Sequence, residues 1–98
     1  MMQTKSWELI RGETVLGVVT INGGDFPWLY ADFAATPAFA EVKPLFDRAA
    51  QLLDSDDETW EEAYAAVDAL GVRLMNLRTG EVFVPVGIFI RDDRASFR

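Results

Sequence analysis

The sequence predicts an α+β fold: an antiparallel sheet with the element order β-β-β-α-α-β-β-β and two helices packed on one face. Three observations point to it. Residues 36–53 and 55–71 repeat apolar side chains at helical spacing. The flanking stretches are rich in β-branched residues divided by short turn signals. The strands are grouped before and after the helices instead of alternating with them, which separates α+β from α/β architectures. At 98 residues the length is that of one domain, residues 1–98.

Residues 5–11 (KSWELIR) alternate weakly and stop at Gly12-Glu13. Residues 15–22 (VLGVVTIN) are β-branched and long enough for a strand, so the two read as a hairpin. Gly23-Gly24-Asp25 then breaks the pattern, and Phe26-Pro27-Trp28 is irregular. Residues 29–34 set Leu29, Ala31 and Phe33 against Tyr30 and Asp32, a third strand.

Thr36-Pro37 marks a helix start, because a Thr hydroxyl can cap free amides and Pro at the first position forfeits no hydrogen bond. Phe39, Val42, Phe46, Ala49 and Leu53 follow at spacings of three and four, the stripe of an amphipathic helix. Pro44 interrupts it. Its ring clashes with the carbonyl of Ala40 and disfavours helical geometry at Lys43, so a short first piece is expected to kink into a second over residues 44–53.

Ser55-Asp56-Asp57-Glu58 has capping-box spacing, with Ser55 as the cap. Trp60, Ala63, Tyr64, Val67 and Leu70 then share one helix face, Glu58, Glu61, Glu62 and Asp68 fall on others, and Gly71 is placed to stop the helix in the left-handed conformation. The remainder reads as strands over residues 72–78, 82–91 and 95–98, with turns at Thr79-Gly80 and Asp92-Asp93. In residues 82–90 both alternating sets are apolar, as in a strand covered on both faces. Pro85 and Gly87 place a bend or bulge near 85–87.

Composition removes most chemistry. With no Cys there is no disulfide framework, thiolate metal site or cysteine nucleophile, a usage that fits a reducing cytoplasm. With no His the commonest general base and transition-metal ligand are gone. Ser6, Ser55 and Ser96 therefore lack a His base, and no catalytic residue is assigned. No cofactor is implied: Gly23-Gly24 lacks the further glycines and the Lys of a phosphate loop. Paired carboxylates such as Asp25 and Asp32 are the remaining acid–base option, a weak one in so small a domain.

Residues 1–10 have no apolar core or cleavage site of a signal peptide. The longest apolar run, nine residues, is far short of the ~20 of a helical membrane span. No membrane is expected. A net charge of −7 argues against direct nucleic-acid binding and suits a basic partner. That charge is local. Residues 49–72 hold seven acids and no base, while the rest of the chain is balanced.

Two surfaces are candidates for function. The acids Asp56, Asp57, Glu58, Glu61 and Glu62 form a docking surface for a basic protein, or simply a solvated helix start favoured by the helix dipole. They do not form a calcium loop: counting from Asp54, the position that needs Gly is Thr59 and the one that needs Glu is Ala65. The loop Asp25, Phe26, Trp28 and Tyr30 offers a ligand an aromatic wall with an anchoring carboxylate. Its alternative reading is that Phe26 and Trp28 plug the end of the core. Arg73, Arg78, Arg91, Arg94 and Arg98 are expected to form salt bridges to the acidic helix. Trp7 and Trp60 read as core residues. The apolar strand over 82–90 also invites pairing with a second copy, a homodimer.

The runs WELI (7–10), DFPWL (25–29), TPAFAEVKPLFD (36–47) and ASFR (95–98) resemble a group of small uncharacterised actinobacterial proteins. The resemblance implies a bacterial, cytoplasmic protein and carries over no activity or site residue. The expectation is thus a non-enzymatic interaction module, immunity- or inhibitor-like, using the acidic helix surface. A small-ligand binding domain using the aromatic loop is the alternative.

Overall fold

The computed structural model describes residues 6–98. Lys5 of the first expected strand, and the first half of the segment read as lacking a signal peptide, lie outside the described residues. Among those described, no helix is long and apolar enough to cross a membrane.

The fold is α+β, with a seven-stranded antiparallel sheet and two α-helices among the described residues. Strands β1 (Ser6–Arg11), β2 (Thr14–Asp25) and β3 (Trp28–Ala35) precede the helices, and β4 (Arg73–Asn76), β5 (Val82–Phe83), β6 (Ile88–Arg91) and β7 (Arg94–Phe97) follow them. Six strands are expected from the sequence. The seventh arises because the run over 82–91 is two strands, at opposite ends of the sheet order β5-β4-β1-β2-β3-β7-β6. The break falls at residues 84–87, where Pro85 cannot donate to a ladder. The expected bend is there, but the expected coverage on both faces is not: Val84 is 66 % and Val86 74 % exposed, whereas Ile88, Phe89 and Ile90 are buried.

Strand β2 is longer than the sequence suggests. Gly23, Gly24 and Asp25 do not end it but pair with Tyr30, Leu29 and Trp28, so the reversal moves to Phe26-Pro27. Asn22 is left unpaired as a bulge between Ile21 and Gly23, and a second bulge on β2 sits opposite Leu9/Ile10. Such bulges sharpen strand coiling. The β1–β2 turn is Gly12-Glu13, as expected, with Gly12 at φ 61° in the left-handed region.

Thr36 and Pro37 begin a helix, but a 3₁₀ helix (Pro37–Glu41) that gives way to α1 (Lys43–Asp54), with Pro44 in its first turn. The break before Pro44 is the expected one. The Thr36 hydroxyl does not cap. It donates to the Val15 carbonyl at 2.6 Å while the Thr36 amide donates to Leu16, tying the helix start to β2. Helix α2 (Trp60–Asp68) follows, and Gly71 ends the segment at φ 66°.

The side chains on the concave face of the sheet, among them Leu9, Val19, Phe33, Leu74 and Phe97, share one core with Phe39, Phe46, Ala49, Ala63 and Val67. Phe33 meets Phe39 edge-on at 4.9 Å between centroids, and Phe39 meets Phe46 at 5.5 Å. Trp7 and Trp60 pack against this core half-buried. Trp60 reaches it through Phe89, 6.1 Å away. Gly17 is required where the Phe33 ring crosses the sheet: a methyl there would lie 2.5 Å from that ring and 2.7 Å from the Ala34 carbonyl oxygen. The expected cost of Gly17→Ala is about 1–3 kcal/mol, as for overpacked cores. Urea denaturation should show it as a lower midpoint. Gly23→Ala, with nothing within 4 Å of the added methyl, should leave the midpoint almost unmoved, a change in stability within about 0.5 kcal/mol.

Candidate functional site

The acidic surface is built at the junction of the two helices. All five expected docking residues, Asp56, Asp57, Glu58, Glu61 and Glu62, are exposed there. They are not equivalent. Ser55 does not form the expected capping box: it ends α1, its hydroxyl donating to the carbonyls of Gln51 and Leu52. Asp57 closes the turn ahead of α2 instead, two residues before the N-cap Thr59, which has no side-chain cap bond. The Asp57 carboxylate accepts the Thr59 amide at 2.8 Å and the Thr59 hydroxyl at 2.6 Å, and its carbonyl accepts the Trp60 amide. Those bonds hold the Asp57 carboxyl below the ordinary carboxylate range. Asp56 occupies the left-handed region at φ 56° in the connecting turn. Glu58, Glu61 and Glu62 make no ion pair among the described residues and present free charge.

The aromatic loop is not brought together as one site. Asp25 and Phe26 sit at the tip of the β2–β3 hairpin, with Phe26 97 % exposed. It is no core plug. Trp28 and Tyr30 lie further along β3. Trp28 is half-buried against Phe89 at 6.0 Å, with the Arg98 guanidinium over its ring at 5.3 Å. Its part of the plug reading fits this placement.

Register assembles a different constellation on the convex face. In the rows that cross β3, β7 and β6, Asp32 faces Arg94, which faces Arg91; one row along, Tyr30 faces Ser96, which faces Phe89. Two adjoining clefts result. A polar one of about 380 Å³ is lined by Asn22, Tyr30, Asp32, Arg91, Arg94 and Ser96. An aromatic one of about 340 Å³ is lined by Trp28, Tyr30, Leu53, Phe89, Arg91 and Ser96. Asn22 enters the first cleft because the bulge frees it from the ladder. The sequence marks Trp28 and Tyr30 as ligand candidates and names Asp32, Arg91, Arg94 and Ser96 only in other connections, and nothing in it joins them, since they come from strands far apart in the chain. Among the described residues no group of acids could hold a metal ion.

Among the described residues Arg91 is the one of the five arginines expected to bridge that does so, and its partner is Asp54 at the end of α1, not an acid of α2. Its guanidinium donates two hydrogen bonds to Asp54, at 2.9 and 2.6 Å. They hold the Asp54 carboxyl below its ordinary range and raise the guanidinium. On the other edge of the group, the Tyr64 hydroxyl accepts the Ile88 amide at 2.9 Å, satisfying an edge donor of β6. Burial pushes the Tyr64 phenol up.

No protein-family model, no curated protein and no solved structure matches the chain.

A carboxyl whose folded pKa is depressed stabilises the fold above its unfolded value and loses that contribution as pH falls through the folded one. Asp54→Asn is therefore expected to destabilise at neutral pH, by less than about 1 kcal/mol because the pair is partly exposed. In urea denaturation over a pH series, the gap between the two proteins should be full above the ordinary Asp range of about 4. It should close as pH drops below the depressed value.

Proposed function

We propose that the chain is a non-enzymatic protein-interaction module, immunity- or inhibitor-like, which docks on a basic protein partner through the acidic surface and pairs with a second copy through the open sheet edge. The observation that carries an interaction role is the clustering of exposed apolar side chains. Leu77, Val82, Phe83, Val84 and Val86 all fall on β5 and the segments flanking it. Single exposed apolar residues are normal, whereas contiguous ones mark contact surfaces. Among the described residues strand β5 also ends the sheet, so its outer backbone groups have no strand partner there.

The basic partner is supported by the free carboxylates of Glu58, Glu61 and Glu62 beside the helix start. The non-enzymatic reading rests on the residue inventory, which lacks both His and Cys. A cytoplasmic, bacterial protein is in keeping with that inventory and with the resemblance in the segments 7–10, 25–29, 36–47 and 95–98. The same reading takes the two helices as one layer on a single face of the sheet. The core shared by Phe46, Ala49, Ala63 and Val67 with Leu9, Val19 and Leu74 supports it.

Two measurements separate the surfaces. Light scattering over a dilution series should show a dimer that Val84→Ser with Val86→Ser converts to monomer; a wild-type monomer at every concentration contradicts the self-pairing. Pull-down from the native host should capture a basic protein in a salt-sensitive manner. The triple variant Glu58→Lys, Glu61→Lys, Glu62→Lys should lose it. Asp57 is spared because it closes the helix turn. A partner held equally by the triple variant contradicts the acidic docking surface.

A further inference from the structure

The paired clefts on the convex face bring together an aromatic slot and two oppositely charged side chains. Ser96 is the small residue between two rings: Tyr30 on β3 and Phe89 on β6 stand one strand to either side of it. Two strand spacings are about 9.6 Å, so a slot remains above Ser96 into which a flat ring fits edgewise. Trp28 and Leu53 extend its apolar wall. Phe89 is 5 % exposed, fixed by Tyr64 and Trp60, whereas Tyr30 is half-exposed and free to meet a ligand.

The polar end of the slot is equally specific. Arg91 is neutralised by its two bonds to Asp54 and acts as a spacer between the clefts. Arg94 and Asp32 face each other across β7 and β3, yet neither makes an ion pair or side-chain hydrogen bond among the described residues. One cation and one anion thus stand side by side at the mouth of an aromatic slot, each with unused bonding capacity. A purely anionic ligand would meet the repulsion of Asp32, and a purely cationic one that of Arg94. A ligand carrying both charges on neighbouring atoms satisfies both groups.

From this juxtaposition we propose that the convex face binds a zwitterionic aromatic molecule of the α-amino-acid class. Its ring lies in the slot between Tyr30 and Phe89, its carboxylate on Arg94 and its ammonium on Asp32. This site is separate from the acidic helix surface and from the β5 edge, and stands or falls independently of the interaction role.

The test is amide chemical-shift titration of the full chain with three probes: L-phenylalanine, 3-phenylpropionate, which lacks the ammonium, and phenethylamine, which lacks the carboxylate. L-Phenylalanine should shift the amides of Tyr30, Arg94 and Ser96 saturably and bind more tightly than either half-molecule. Arg94→Gln should weaken L-phenylalanine and 3-phenylpropionate about fivefold, as befits a partly exposed ion pair, and should not weaken phenethylamine, which is relieved of the Arg94 charge. Asp32→Asn should do the reverse, weakening L-phenylalanine and phenethylamine but not 3-phenylpropionate, which is relieved of the Asp32 charge. Both side chains are exposed and unbonded, and amides remote from the cleft report whether each variant keeps its fold. The proposal is overturned if L-phenylalanine gives no saturable shift, if the shifts cluster elsewhere, or if it binds no better than its halves. It is equally overturned if either substitution leaves the affinity of L-phenylalanine unchanged.

Discussion

The reach of the chain between β5 and β6 constrains everything else in this fold. These strands are the two ends of a seven-stranded sheet, six strand spacings apart, which in a flat sheet is about 29 Å. They are consecutive in sequence, and from Phe83 to Ile88 there are five Cα steps, which span about 17 Å at full extension. A flat sheet is therefore impossible. The sheet must curl until its edges approach, and the short link must be held against the far edge. It is: the amides of Val86 and Gly87 donate to the Arg98 carbonyl, and the Arg98 amide donates to Gly87. The same curl creates the concave face that holds the core, and it brings the Phe83 ring to within 6.4 Å of the Phe97 ring.

Curling leaves two edges that meet different fates. That of β6 is covered: α1 lies against it, Tyr64 of α2 accepts the Ile88 amide, and Arg91 is tied to Asp54 at the end of α1. Among the described residues, that of β5 carries only the exposed apolar residues of its own segment. One edge is thus consumed by the fold and the other is offered outward. The acidic helix junction, by contrast, is built around its own turn, in which Asp54 and Asp57 serve structure and Glu58, Glu61 and Glu62 remain free.

Local signals were legible in the sequence and non-local ones were not. The break before Pro44, the stop at Gly71 and the turn at Gly12 depend on neighbours within a few residues and lie where the pattern places them; both helices form, but the first opens as a 3₁₀ helix and the second starts at Trp60 instead of after Ser55. Gly23-Gly24 reads as a breaker because glycine weakens strands, but pairing with β3 and the Asn22 bulge override that preference. The run over 82–90 reads as one buried strand because its apolar residues are continuous. Nothing in it reveals that its halves join opposite edges. Ser55 has the right spacing for a cap and is used by the preceding helix instead. The cleft is the least legible feature, since Tyr30, Ser96 and Phe89 become neighbours only through strand register. Trp28 and Tyr30 are evident as aromatics, but Asp32 and Arg94 have no sequence signature that links them.

Closure of the sheet is the claim on which the core, the covered edge and the open edge all rest. Phe83 and Phe97 lie on strands five spacings apart in the sheet order, about 24 Å if the sheet were flat. Nuclear Overhauser contacts between the ring protons of these two residues test it most directly. The curled sheet predicts cross-peaks between the rings in the wild-type chain. Their absence, with the β4–β5 and β6–β7 pairings otherwise intact, would contradict it.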